Sequence, residues 1–244
     1  GLIDGTKLDP LFVLSPPSPD MALIDLVPNP SDRPELAVAL YRQDGTPGVN
    51  SGTPIMINLS SGSFGAQLDA TGSRATAICW SVKGKQIAVG LESGEIVQVT
   101  PEGEPKDRIA KPDSLQGSYY VSDLRWLENH VFIATYNLPS SGSPDDDPEH
   151  SYEVYTILRD AKATQITFAK MPMDPAPPYG DTTQPGTRFA AWLKGWEPSK
   201  HLVFVASGPS TDVGLICCSS GDAGAAAWST VELEETSKPI LPFS

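Results

Sequence analysis

Histidine and cysteine are scarce in this chain, three of each in 244 residues, and lysine plus arginine reach only 17 against 30 acidic residues. Each shortage closes a class of function. Cys79, Cys217 and Cys218 form an odd set with one adjacent pair, which gives neither a disulfide framework nor metal-ligand spacing and reads as reduced, buried thiols. His130, His150 and His201 are scattered and none lies near a cysteine in sequence, so no metal site is expected. A net charge of −13 repels a phosphate backbone and argues against direct nucleic-acid binding. That charge suits a basic protein partner, or only keeps the domain soluble. No apolar run approaches the roughly 20 residues of a membrane helix, and residues 1–10 lack the basic and apolar regions of a signal peptide. A cytosolic or nuclear chain without membrane contact is the expectation.

Helical signals are also sparse. Only residues 225–227 suggest one, and they read as a turn. What is abundant is proline (24) and glycine (21), set in a composition that is 39% hydrophobic and 19% charged, which points to an all-β globular domain with many turns. A repeat organises it. Residues 77–80, 123–126 and 189–192 are short apolar runs ending in Trp80, Trp126 and Trp192, each followed by a polar turn and a second apolar run at 86–90, 130–134 and 201–207. Residues 23–26 before 35–40 repeat the pattern with Leu26 in the tryptophan place. The steps from one marker to the next equal or exceed the roughly 40–45 residues of a propeller blade, the excess being loop.

Two more strand-like runs follow each pair: 54–59 with 65–68, 95–100 with 108–110, 152–158 with 165–169, and 213–218 with 228–233. Four strands per repeat is the β-propeller arrangement. The blade-like repeats span about 21–69, 76–110, 120–170 and 187–233, with 234–244 entering a next blade and an opening strand at 11–14. Lys83-Gly84, Ser93-Gly94 and Glu102-Gly103 stand where tight hairpins need positive φ. Small residues recur on the second strands, Ala37, Ala39, Ala88, Ala134 and Ala206, as crowding near a central channel requires. Four repeats, with the sequence beginning and ending inside a repeat, predict a slice of a larger ring, a partial propeller domain over 1–244, with a self-contained four-bladed ring as the alternative. Long loops at 43–54, 140–151 and 171–187 project from its rims, where partners are met.

No reactive constellation emerges. His130 and His201 fall at the same strand-entry position of successive repeats, which makes them structural. Asp145, Asp146, Asp147 and Glu149 lack the alternation and central glycine of an EF-hand. Lys83-Gly84-Lys85 lacks the long glycine-rich stretch and helix of a phosphate loop. Cys79 has no identifiable base, and the 60–63 Ser/Gly turn lacks a nucleophile elbow. The expectation is a non-enzyme with no catalytic residue, metal or cofactor. Residues 234–243 differ from the rest in joining charge to apolar residues held by Pro239 and Pro242, which suits either a protein contact or an ordinary blade connector.

The run 77–90, Ala-Ile-Cys-Trp-Ser-Val-Lys-Gly-Lys-Gln-Ile-Ala-Val-Gly, with 93–98, Ser-Gly-Glu-Ile-Val-Gln, closely resembles the amino-terminal β-propeller of the cytoplasmic-filament nucleoporin called CAN in animals. Residues 121–126, 130–136 and 228–243 fit the same family in the same order, so the resemblance spans about 70–244. Proline and serine content suggests a fungal member. The resemblance implies a seven-bladed propeller at the cytoplasmic face of the nuclear pore complex, about four blades of it present here. It also implies a docking platform that binds the DEAD-box mRNA-export helicase and modulates its RNA binding during mRNA transport. Other cytoplasmic-filament nucleoporins would bind through regions outside this slice.

Carried over residue by residue, the helicase contact falls on the connector after the tryptophan-bearing outer strand: Glu235, Lys238, Ile240, Leu241, Pro242 and Phe243. Lys238 would pair with an acidic group and Phe243 would insert as an apolar anchor. Animal relatives carry arginine and an aliphatic residue there, which changes the detail of both contacts. Two rivals stand beside this reading. One is a generic WD40-like propeller scaffold in another assembly, because fold does not fix function. The other is a propeller hydrolase or lectin, which needs polar residues pointing into the channel.

Overall fold

Alternating and fully apolar runs of four to nine residues, separated by glycine-bearing turns, leave this chain little choice but short strands. The computed structural model describes residues 2–3, 10–31, 33–43, 51–68, 72–139, 152–159, 165–171, 188–195, 199–207, 213–219, 227–231 and 234, and among them every regular element is a β-strand. Strands β1 (Leu2–Ile3) and β2 (Pro10–Phe12) pair with each other. The other strands form four four-stranded sheets, each from one consecutive stretch of chain.

Sheet 1 runs β3 (Met21–Pro28), β4 (Leu36–Gln43), β5 (Thr53–Asn58), β6 (Ser63–Gln67). Sheet 2 runs β7 (Ala75–Trp80), β8 (Ile87–Leu91), β9 (Ile96–Val99), β10 (Pro105–Ile109). Sheet 3 runs β11 (Tyr120–Glu128), β12 (Val131–Asn137), β13 (Tyr152–Arg159), β14 (Ile166–Lys170). Sheet 4 runs β15 (Arg188–Lys194), β16 (Ser199–Ser207), β17 (Val213–Ser219), β18 (Ala227–Thr230). Each has the four-stranded antiparallel form of a propeller blade, with strand order equal to chain order.

The chain divides into two compact units, Gly1–Ile133 and Ala134–Ser244. In the first, sheet 2 is sandwiched. Strands β7, β8 and β9 are buried on both faces, which is why they read as continuous apolar runs and not as alternation. One face of β7 and β8 meets sheet 1 in a core of Leu36, Val38, Leu40 and Met56 against Ile78, Trp80, Ile87 and Val89. Their other face meets β11 so closely that a Cβ on Gly90 would stand 2.5 Å from a Val121 methyl, which only glycine avoids. The outermost strand β10 is mostly exposed. Its charged sequence, Lys106-Asp107-Arg108, suits an edge that must not recruit another strand.

Side chains staple neighbouring sheets through the backbone. The Trp80 indole N–H donates to the Val27 carbonyl on β3 at 2.9 Å, and the Thr76 hydroxyl donates to the Val121 carbonyl on β11 at 2.6 Å. Buried Asn29 donates from Nδ2 to the Gly84 carbonyl at 2.8 Å, and Gly84 itself holds φ +63°, the left-handed geometry its hairpin requires. Gly94 and Gly103 sit at φ +82° and +89°, as their turn positions predict. The tryptophan that marks the repeat is therefore an inter-sheet tie in sheet 2. Its counterpart Trp126 instead packs on Phe132, ring centroids 4.7 Å apart, and its buried N–H finds no acceptor among the described residues.

Candidate docking surface

The first strands of sheets 1, 2 and 3 carry more polar chemistry than the sequence suggested. Arg125 on β11 pairs with Asp123 at 2.9 Å, two residues away and on the same side of the strand. Asp123 holds the Arg125 guanidinium firmly in its charged form. Asp25 on β3 feels the attraction of Arg125, yet burial is the larger effect and raises its pKa above the ordinary aspartate value. Cys79 on β7 senses the same Arg125 and Asp123, but full burial pushes its thiol up to about 12. A thiol so raised stays protonated at neutral pH and is a poor nucleophile. Arg125 and Asp123 form an ion pair on β11, and Asp25 on β3 lies within electrostatic reach of it. The signal was present as Asp25 before Leu26 and Asp123 with Arg125 before Trp126.

Sheet 4 is organised by an aromatic ladder. Trp192 on β15 donates its indole N–H to His201 Nδ1 on β16 at 3.1 Å, and the His201 ring stacks on Trp228 of β18 with planes 3° apart and centroids 5.8 Å. The register explains this, since His201 pairs with Cys218 and Cys218 with Trp228, which brings the side chains to one face. His201 accepts at Nδ1 and so carries no proton there. It is 2% exposed, deep inside β16, whereas His130 is exposed in the turn before β12. Their predicted equivalence does not hold, because β16 begins two residues before His201. Cys217 likewise is half-buried and not fully enclosed, its sulfur 3.4 Å from the Ser229 hydroxyl.

The ladder, with Val231 N–H donating to the Leu215 carbonyl at 2.8 Å, fixes where the chain leaves β18. The segment expected to meet a partner starts there. Glu235, Lys238, Ile240, Leu241, Pro242 and Phe243 lie outside the described residues, as do Asp145 to Asp147, His150 and Pro172 to Pro178.

In the first unit three exposed cations pair with neighbouring carboxylates. Arg33 bridges Glu35 at 3.2 Å and Glu102 at 3.5 Å, Lys106 pairs with Glu104 at 3.1 Å, and Arg108 with Glu95 at 2.8 Å. Exposed pairs of this kind add little stability. Each ion pair cancels one charge of either sign, so the net charge of −13 on the chain does not depend on them. No group of three or more potential metal ligands occurs among the described residues. The arrangement offers backbone-stapled sheets, exposed ion pairs and an anchored exit strand.

Comparison with known proteins agrees with that architecture. Residues 5–244 match the family described as NUP159/214 beta propeller. The chain is 35% identical over 173 residues to nucleoporin nup146 of Schizosaccharomyces pombe, covering 70% of this chain and 13% of that protein. It is 35% identical over 184 residues to nucleoporin NUP159 of Chaetomium thermophilum, covering 70% and 12%, and 29% identical over 175 residues to human Nup214, covering 69% and 8%. The chain thus spans about a tenth of the length of these relatives. Among solved structures, a complex of S. cerevisiae Dbp5 bound to Nup159 and Gle1 contains a similar fold, with TM-score 0.59, 18% identity, and 91% of this chain and 54% of that chain covered. With four consecutive four-stranded blades and a family match over nearly its whole length, the chain belongs to the NUP159/214 beta propeller family of nucleoporins.

Proposed function

We propose that this chain is a non-catalytic docking platform of the nuclear pore complex that binds the DEAD-box mRNA-export helicase. The observation that carries the reading is family membership across residues 5–244, since the same family includes the Nup159 that is bound to the helicase Dbp5 in a solved complex. Physical features support it. A chain with net charge −13 attracts the basic RNA-binding face of a helicase, and occupation of that face competes with RNA. In this reading the chain is one partial propeller, works on the cytoplasmic side of the pore, and contacts the helicase through Glu235, Lys238, Ile240, Leu241, Pro242 and Phe243, where 234–244 leads into the next blade.

The test is equilibrium binding of the purified helicase to the chain at rising ionic strength, with Lys238→Glu and Phe243→Ala in parallel. Exposed charges separated by more than a Debye length of about 8–10 Å are screened at physiological salt, so affinity must fall steeply as salt rises. Binding indifferent to salt sinks the electrostatic account. Wild-type affinity in both variants removes the proposed contact while leaving docking itself in place.

A further inference from the structure

We infer that Ser15 is a phosphorylation site for a proline-directed protein kinase. Such an enzyme needs a serine or threonine followed by proline, presented as extended backbone that can leave the protein surface without breaking structure. The proline serves this twice, because it has no N–H to be left unsatisfied in the kinase groove and it forces the preceding residue into an extended conformation. Four such dipeptides fall among the described residues: Ser15-Pro16, Ser18-Pro19, Thr53-Pro54 and Thr100-Pro101. Structure separates them.

Thr53 and Pro54 lie in β5, paired with Tyr41 and Leu40 of β4, and Pro54 is buried. Thr100 opens a turn in which Gly103 N–H donates to its carbonyl at 2.9 Å and Glu104 N–H donates to its hydroxyl oxygen at 3.2 Å. Ser18 is held by a turn closed from Met21 N–H to its carbonyl at 3.0 Å, and its hydroxyl donates to Asp20. Ser15 alone of the four is exposed, outside every strand and outside any hydrogen-bonded turn described here. Pro16 and Pro17 beside it are exposed too. The stretch is tethered but not covered: on its N-terminal side Leu14 packs against the cluster of Ala37, Ala39, Tyr41, Ile55 and Ile57, and Phe12 lies under Gly62. Those anchors hold the serine at a constant place on the surface of sheet 1.

In the reaction the Ser15 Oγ attacks the γ-phosphorus of a magnesium-bound nucleoside triphosphate. The Oγ–P bond forms as the bond from phosphorus to the β,γ-bridging oxygen breaks. The nucleoside diphosphate leaves with the bridging oxygen, and the hydroxyl proton passes to the kinase's base. The product puts about −1.5 to −2 charge next to Leu14.

The experiment incubates the folded chain with a purified proline-directed kinase and magnesium ATP and reads each of the four positions by peptide mass spectrometry over time. Ser15 is expected to gain phosphate at least about tenfold faster than Ser18, Thr53 and Thr100, since these must first open locally. In the urea-unfolded chain, diluted into the assay, that advantage collapses. Pro16→Ala abolishes modification at Ser15. Equal rates at the four positions in the folded chain, an unmodified Ser15, or a Pro16→Ala chain modified at the wild-type rate each overturn the assignment.

Discussion

Replacing Thr76 by valine isolates one inter-sheet bond with almost no change of shape. The hydroxyl of Thr76 is buried and reaches two carbonyls, Val121 at 2.6 Å and Gly90 at 3.2 Å. It has one hydrogen to give, and the shorter contact takes it. In Thr76→Val a methyl takes the hydroxyl's place, and the Val121 carbonyl, on a residue with no exposed surface, loses this donor. A buried acceptor left without its partner costs about 1–3 kcal/mol. In Thr76→Ser the hydroxyl stays and one methyl goes, worth about 0.8 kcal/mol of transfer energy. The valine variant must therefore be the less stable, although it is the more apolar and the closer in volume. Urea unfolding followed by tryptophan fluorescence and circular dichroism reads the difference. With a denaturant slope of about 2–3 kcal/mol/M, the valine midpoint should fall by about 0.3–1.5 M and the serine midpoint by less. A serine variant as destabilised as the valine variant, or a valine variant equal to wild type, refutes the claim that this hydrogen bond ties sheet 2 to sheet 3.

Trp80→Phe keeps a ring in the same core but deprives the Val27 carbonyl of the indole N–H, so calorimetry should show a loss of about 1–3 kcal/mol, with Trp80→Ala costing about 3–5. His201→Phe preserves stacking on Trp228 but removes the Nδ1 acceptor that the Trp192 N–H uses, and should lower stability by about 0.5–1.5 kcal/mol, whereas no loss would show that this bond is idle. Cys79 has its pKa raised by burial to about 12, so the folded state keeps the proton that the unfolded chain releases near pH 9. The associated stability is present below pH 9 and is lost progressively between about pH 9 and 12. Cys79→Ala should flatten that alkaline decline. Thiol reagents at pH 8 should spare Cys79 in the folded chain and label the half-buried Cys217, as peptide mapping will show.

Much of the architecture was legible because the signals are local. Tryptophan spacing, apolar runs and glycine turns each act within one hairpin, and the four sheets follow them: the Lys83-Gly84, Ser93-Gly94 and Glu102-Gly103 turns all adopt positive φ. The site was less legible, for two reasons. Asp25 comes within the field of Asp123 and Arg125 only because first strands of consecutive sheets lie side by side, a relation between residues about 100 apart that no hairpin pattern encodes. His201 was read by analogy with His130, yet its neighbours are decided by register, which pairs it with Lys194 and Cys218 and brings it to Trp228 across the intervening strand. A register shift near the start of β16 was enough to break the analogy.

The two ties that sheet 2 donates share an asymmetry. Trp80 and Thr76 must supply specific donors, but Val27 and Val121 contribute main-chain oxygens that any amino acid would offer in their place. Mutation on the receiving strands can thus replace a side chain without unmaking the tie. The donor positions have no such latitude. A blade built this way lets its neighbours drift while it keeps hold of them, a route by which chains differing at two positions in three can retain one architecture.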